Sequence, residues 1–233
     1  MHYFRCENLA NRIPGDSLEL EKQEAAHLFK TLRAAPGFEL GLLDGLGRIA
    51  KAKVAEGRRL EIVSVEQAPL PKRRVHLFIA PPRRQKMDQI LRQSAELGAW
   101  SIQPMLCERS VSIPGEDSVA GRWEDVLIDA CKQSGNPFMP QAKAPLPFAK
   151  ALAKAKADGF SCHFGAVAGA GQAPAAGLEG DFAWFIGPEG GFTHAEEDAL
   201  RASGSKPLRI GRCILRVETA AICGLAFLAG CEA

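Results

Sequence analysis

No run of about 18 apolar residues occurs in the chain, so no membrane-spanning helix is expected. The opening stretch, residues 1–7, lacks the apolar core of a secretory signal, which points to a cytoplasmic protein. The seven cysteines (Cys6, Cys107, Cys131, Cys162, Cys213, Cys223, Cys231) contain no C-x-x-C pair. An odd, scattered set argues against a disulfide framework or a zinc site, so these cysteines read as packing residues and no metal is expected. There is no G-x-G-x-x-G after an early strand, and no G-x-x-x-x-G-K followed by Ser or Thr. That disfavours the two common phosphate-cradling nucleotide folds. Net charge is only +2, so whole-chain charge announces no polyanionic partner.

What is present is an apolar content of 46% over 233 residues, enough for one large domain or two smaller ones. The charge is unevenly spread. Between Gln67 and Met87 stand Lys72, Arg73, Arg74, Arg83, Arg84 and Lys86 with no acidic residue. Between Ala199 and Val217 stand Arg201, Lys206, Arg209, Arg212 and Arg216, again with none. Such clusters suit phosphate backbones, although a solvated basic surface produces the same pattern.

Residues 1–70 read as a small β-rich domain. Residues 38–43 and 46–54 are strand candidates on either side of the turn signal Asp44-Gly45, and 59–66 alternates like a half-buried strand. One helix is expected near 21–32. Pro69-Leu70-Pro71 then marks a linker. Beyond it, from residue 73 to 233, strands and helices alternate. Strands are expected at 75–80, 100–106 and 160–167. Helices are expected at 84–97, 123–133, 148–157 and 217–229, and a glycine-rich loop at 165–180. This alternation argues for an α/β fold with a parallel sheet covered on both faces. The last helix is apolar almost all round, so it needs cover from its own sheet, from a second subunit, or from both.

Two stretches carry the functional signal. The apolar run Phe182-Ala183-Trp184-Phe185-Ile186 is followed by Gly187-Pro188-Glu189-Gly190-Gly191-Phe192 and then Thr193-x-x-Glu196, a helix-start signature. A strand, a glycine turn and a helix start place backbone N–H groups around a ligand at a strand's carboxyl edge. The logic repeats at Ile210-Gly211-Arg212-Cys213-Ile214-Leu215-Arg216, after a short strand ending near Ile210. Two such bends on adjacent strands would form two walls of one pocket.

These stretches resemble the ribosomal small subunit methyltransferase E family. Four further segments extend the resemblance over essentially the whole chain. They are residues 27–33 with Asp44-Gly45, Lys86-Met87-Asp88, Ala95-Glu96-Leu97-Gly98 with Pro104, and Ala130-x-x-Gln133-Ser134. The chain departs from the family's usual residues at Lys132, Asn136 and Cys213. The resemblance implies a SPOUT-type α/β domain with a trefoil knot, a small N-terminal PUA-like β-barrel domain and a homodimer. It implies methylation at N3 of a uridine in 16S ribosomal RNA of the small ribosomal subunit, with S-adenosyl-L-methionine as donor. The cofactor residues it implies are Ile186, Gly187, Pro188, Glu189, Gly190, Gly191, Ile210, Gly211, Ile214, Leu215 and Arg216. Arg216 would stabilise charge on the uracil, and Glu189 or Glu218 would accept the N3 proton. For Glu218 the alternative is a helix-start carboxylate satisfying backbone N–H groups. Arg5, His27, Arg33, Arg73, Arg74, Arg83, Arg84 and Lys86 are the implied RNA contacts. Methylation of another RNA base by the same fold, and a non-catalytic RNA-binding module, remain as alternatives.

Overall fold

The computed structural model describes residues 1–112, 114–115, 118–166 and 179–230. The sequence expectations at 167–178, including most of the glycine-rich loop, lie outside the described residues, as does Cys231. The chain forms two compact units, Met1–Leu70 with Ile128–Met139, and Pro71–Leu127 with Pro140–Ala233.

The first unit contains β1 (Tyr3–Arg5), β2 (Ser17–Leu18), α1 (Lys22–Ala26), β3 (Glu39–Leu43), β4 (Arg48–Val54) and β5 (Leu60–Gln67). Its sheet runs in the order β1-β3-β4-β5-β2. β1 pairs parallel with β3, and the other pairs are antiparallel. The β3–β4 turn forms because Asp44 Oδ1 accepts from Leu46 N at 2.7 Å and Arg48 N at 2.9 Å, the side-chain turn chemistry of aspartate. Leu40, Leu42, Leu60 and Ile62 point into a core shared with Leu9 and Leu28. The helix expected over 21–32 is α1 followed by a wider helical turn at His27–Thr31. Residues 128–139 return to this unit. Gly47 N donates to Pro137 O at 2.9 Å, Met139 N donates to Gly45 O at 3.0 Å, and Lys132 Nζ pairs with Glu24 at 2.8 Å. Burial alone would lower the Lys132 pKa, but its bonds to Glu24 and Asp129 override that and raise it.

The second unit contains β6 (Arg73–Ile79), α2 (Arg84–Glu96), β7 (Ser101–Leu106), the start of α3 (Glu124–Ser134), β8 (Gln141–Ala142), β9 (Leu146–Pro147) and α4 (Phe148–Ala157). β10 (Ser161–Gly165), β11 (Gly180–Ile186), α5 (His194–Ala202), β12 (Lys206–Leu208) and α6 (Val217–Ala229) follow. The strand order is β12-β10-β11-β6-β7-β8, with β9 beside β7, and every pair is parallel. β11 sits inside this sheet and is buried on both faces, which is why its sequence is continuously apolar. Ala183 and Phe185 share a core with Phe148, Ala151 and Leu152 of α4 and Leu200 of α5. Trp184 points to the opposite face, where its Nε1 donates to Ala220 O of α6 at 3.3 Å. A Cβ on Gly224 would overlap that indole, so only glycine lets α6 lie this close. Ala221, Leu225 and Leu228 complete the buried face of α6, whereas Cys223 and Phe227 are exposed.

The cysteines divide. Cys107, Cys131 and Cys162 are buried as packing residues and Cys6 is half-buried, but Cys213 and Cys223 are exposed, contrary to the packing expectation. Cys213 lies in the exposed turn after β12, and Cys223 on the outward side of α6. No helix of the described residues is long and apolar enough to cross a membrane.

Candidate functional site

Three neighbouring parallel strands, β12, β10 and β11, end at one edge, and a cleft of about 340 Å³ lies beyond their carboxyl ends. Open parallel sheets bind ligands at that position. The volume falls within the range of small-molecule sites. Residues 186–192 after β11 form one wall, with Glu197 of α5 behind them. Leu208, Arg209, Ile210, Cys213, Ile214 and Leu215 form the other, and Gly165 and Ala166 after β10 lie between. Trp184, Val217 and Ala220 complete the apolar lining.

The two glycine bends therefore share one pocket, but they are not on adjacent strands: β10 separates β11 from β12. Strand order depends on pairings between distant segments, which local pattern does not encode. Of the residues expected to hold a cofactor, Ile186, Gly187, Pro188, Glu189, Gly190, Gly191, Ile210, Ile214 and Leu215 line the cleft. Gly211 and Arg216 are not part of that lining. Gly211, at φ +79°, makes the bend that presents Ile210 and Leu215. Arg216 is exposed at the start of α6, and its side chain caps no helix N–H. Glu218 also stands outside the lining. Its carboxylate is largely buried, 3.4 Å from Lys86 Nζ of α2, an ion-pair distance without a hydrogen bond to Oε2.

The first wall is fixed by groups that the sequence did not advertise. Arg109, in the loop after β7, donates to Gly190 O at 2.9 Å and to Phe192 O at 3.4 Å. The expected helix start is present as a full capping box: Thr193 Oγ1 accepts from Glu196 N at 3.2 Å, and Glu196 Oε2 accepts from Thr193 N at 2.9 Å. The other Glu196 oxygen accepts from Glu108 N at 2.9 Å, so one buried carboxylate ties the loop after β7 to the loop after β11. Burial, reinforced by the Glu196 charge, pushes the nearby Cys107 thiol up to about 12. Gly187 packs against the Phe192 ring, where a Cβ would come within 3.2 Å. On the second wall, Arg209 Nη2 donates to Arg212 O at 2.9 Å and closes that turn.

The basic run at 72–86 is split by the fold. Arg73 and Arg74 start β6, whereas Arg83, Arg84 and Lys86 follow its far end, a strand length of roughly 20 Å away at about 3.3 Å per residue. Arg74 bonds Asp181 at 2.6 Å and lies over Trp100, and Arg73 donates to Leu228 O at 3.5 Å. Both have structural partners. His76 joins the same network through Asp181 Oδ1 at 3.0 Å and Ser101 Oγ at 2.8 Å. Its pKa is lowered by burial, against the opposing pull of Asp181. Arg83 and Arg84 are exposed beside the cleft's edge of the sheet. In the first unit, Arg33 is exposed, and exposed His27 faces a polar cleft of about 540 Å³ shared with Tyr3, Gln23, Glu24 and Lys132. Arg5 is half-buried, 3.6 Å from Glu7.

A cleft walled by glycine turns beyond the carboxyl edge of a parallel sheet is the arrangement in which open α/β sheets hold small ligands. Residues 68–229 match the RNA methyltransferase domain family. The chain is 30% identical over 226 residues to the ribosomal RNA small subunit methyltransferase E of Synechocystis sp., covering 90% of this chain and 72% of that protein. It is 29% identical to the protein of the same name from Aquifex aeolicus, covering 95% and 96%. It superposes with a TM-score of 0.86, at 28% identity and over 97% and 95% of the two chains, on the crystal structure of the Neisseria gonorrhoeae enzyme of that name bound to S-adenosylmethionine. A Legionella pneumophila methyltransferase in complex with the same cofactor gives 0.82 at 28% identity, over 97% and 95%. The chain belongs to the ribosomal RNA small subunit methyltransferase E family.

Proposed function

We propose that the protein methylates N3 of a uridine in 16S ribosomal RNA, with S-adenosylmethionine held in the cleft beyond β10, β11 and β12. The observation that carries this reading is the convergence of both glycine bends on that one cleft. The residues present suit the cofactor. Leu208, Ile210, Leu215 and Val217 offer apolar surface for an adenine ring, and Gly187, Gly190 and Gly191 let backbone approach the ligand with no side chain of their own. When bound, the cofactor supplies an electrophilic methyl carbon on a sulfonium whose departure leaves a neutral thioether.

The protein's task is to align donor and acceptor and to remove the N3 proton, because neutral N3 has no usable lone pair. Glu189 lines the cleft and is exposed, so it is the proposed proton acceptor. Glu218 is turned towards Lys86 and stands outside the cleft lining, so it is not the proposed proton acceptor. Arg216, exposed beside the second wall, is assigned to the charge that grows on the uracil carbonyl oxygens. A paired uridine hides its N3 edge, so the target is unpaired or splayed out.

Residues 1–70 are proposed as a PUA-like RNA-gripping domain using Arg5, His27 and Arg33. Residues 73–233 are proposed as a SPOUT domain with a trefoil knot, with Arg83, Arg84 and Lys86 facing RNA. Five Arg and Lys contacts predict a loss of roughly 500-fold in RNA affinity between about 50 and 200 mM salt. A flat salt response in filter binding removes the basic-residue assignment. The exposed Cys223 and Phe227 on α6 support a homodimer that covers this face. Light scattering of the purified protein is expected to give twice the chain mass, and a monomer mass rejects the dimer.

The deciding experiment incubates the protein with labelled S-adenosylmethionine and small ribosomal subunits from cells lacking it, then maps the modified base. Label at uridine N3 is the expected result. Label on another base, or none with the donor bound, overturns the N3 assignment.

A further inference from the structure

The cleft carries an excess of negative charge that the helix-capping scheme does not use. Glu196 and Glu197 stand side by side in the first turn of α5. Both oxygens of Glu196 are committed, to Thr193 N and to Glu108 N. Glu197 lines the cleft instead. Its ion-pair partner is Arg201 at 3.6 Å, with both side chains a third or more exposed, a contact that neutralises little. Arg201 lies over the Phe164 ring and does not line the cleft. The charged residues of the lining are thus Glu189, Glu197 and Arg209, and the Arg209 guanidinium is held by Arg212 O.

Methyl transfer changes the charge of the bound molecule. The S–CH3 bond breaks with its electron pair left on sulfur, the N–CH3 bond forms, and the uridine proton goes to the acceptor carboxylate. The donor enters as a sulfonium cation and leaves as a neutral thioether, one positive charge poorer. A carboxylate at the cleft wall attracts the first and is indifferent to that change in the second.

Resting on the methyltransferase reading above, we propose that Glu197 makes the cleft charge-selective, so that it holds S-adenosylmethionine and lets S-adenosylhomocysteine go. Glu197 is a specificity-determining residue, distinct from the group that takes the proton. It needs no contact with the reacting atoms, because charge–charge attraction does not require contact and is stronger in a partly desolvated cleft than in bulk water.

Calorimetric titration of the full-length protein with each of the two ligands tests this. Glu197→Gln, nearly isosteric and uncharged, is expected to weaken the donor roughly fivefold, or about 1 kcal/mol, and to leave the product's Kd within about twofold. Glu197→Asp is expected to keep most of the wild-type preference. For the wild type, raising salt from about 50 to 500 mM is expected to narrow the donor-to-product ratio as screening grows. Equal weakening of both ligands by Glu197→Gln, or an unchanged donor Kd, overturns the proposal. Should that variant fail to fold, the wild-type salt series decides, and a ratio independent of salt overturns it. A wild-type protein that binds neither ligand rejects the methyltransferase reading itself, a different result from one that binds both alike.

Discussion

Replacing Gly224 with leucine is expected to lower the melting temperature by roughly 6–12 °C, a net cost of about 3 kcal/mol at this chain length. A Cβ at this position would overlap the Trp184 indole, which is fully buried between the sheet and α6. The ring is tethered, since its Nε1 is bonded to Ala220 O and its strand is flanked on both sides. Close-packed interiors transmit such an insertion as helix displacement. Alanine or leucine in a helix gains up to about 1 kcal/mol of propensity over glycine, so the overlap must exceed that gain. The alanine variant is expected to fall between wild type and leucine for this reason. Ala220 and Trp184 both line the cleft, so S-adenosylmethionine affinity should fall together with stability. Thermal denaturation followed by circular dichroism, with and without the cofactor, checks both. A leucine variant that melts with the wild type would mean that α6 does not rest on Trp184.

Arg216→Ala is expected to reduce turnover by about 10²–10³, the usual effect of removing one group that stabilises developing charge. Cofactor affinity should stay within about threefold and stability within about 0.5 kcal/mol. The separation follows from position. The Arg216 side chain caps nothing, is exposed and lies outside the cleft lining, while its backbone O still accepts from Ala220 N at 2.8 Å after truncation. Single-turnover methylation of small subunits, beside calorimetry with the donor, separates the two effects. Loss of cofactor binding would move Arg216 from the chemistry into the pocket. Unchanged turnover would leave growing uracil charge to another group.

Both bends of the cleft were legible in the sequence because their causes are local. An apolar strand, a glycine cluster and Thr193-x-x-Glu196 are enough to specify a strand, a turn and a capped helix over a few residues. The alternation of strands and helices likewise announces a parallel sheet. What escaped is long-range. Nothing near residue 165 signals that β10 separates the two walls, and Arg109 reaches Gly190 across 81 positions of sequence. The basic run at 72–86 looked continuous because sequence does not display the strand that carries Arg73 and Arg84 to opposite edges of the sheet. The pairing of Lys132 with Glu24, 108 positions away, is equally invisible to local pattern.

The discontinuous make-up of the first unit governs how the chain is born. Residues 128–139 complete it by bonding Gly45 and Gly47, so more than half of the polypeptide must leave the ribosome before that unit can close. Until then Glu24 lacks the lysine with which it pairs in the folded chain. A chain cut at the proline linker is therefore expected to leave the first unit without residues 128–139 and the bonds they make to Gly45 and Gly47.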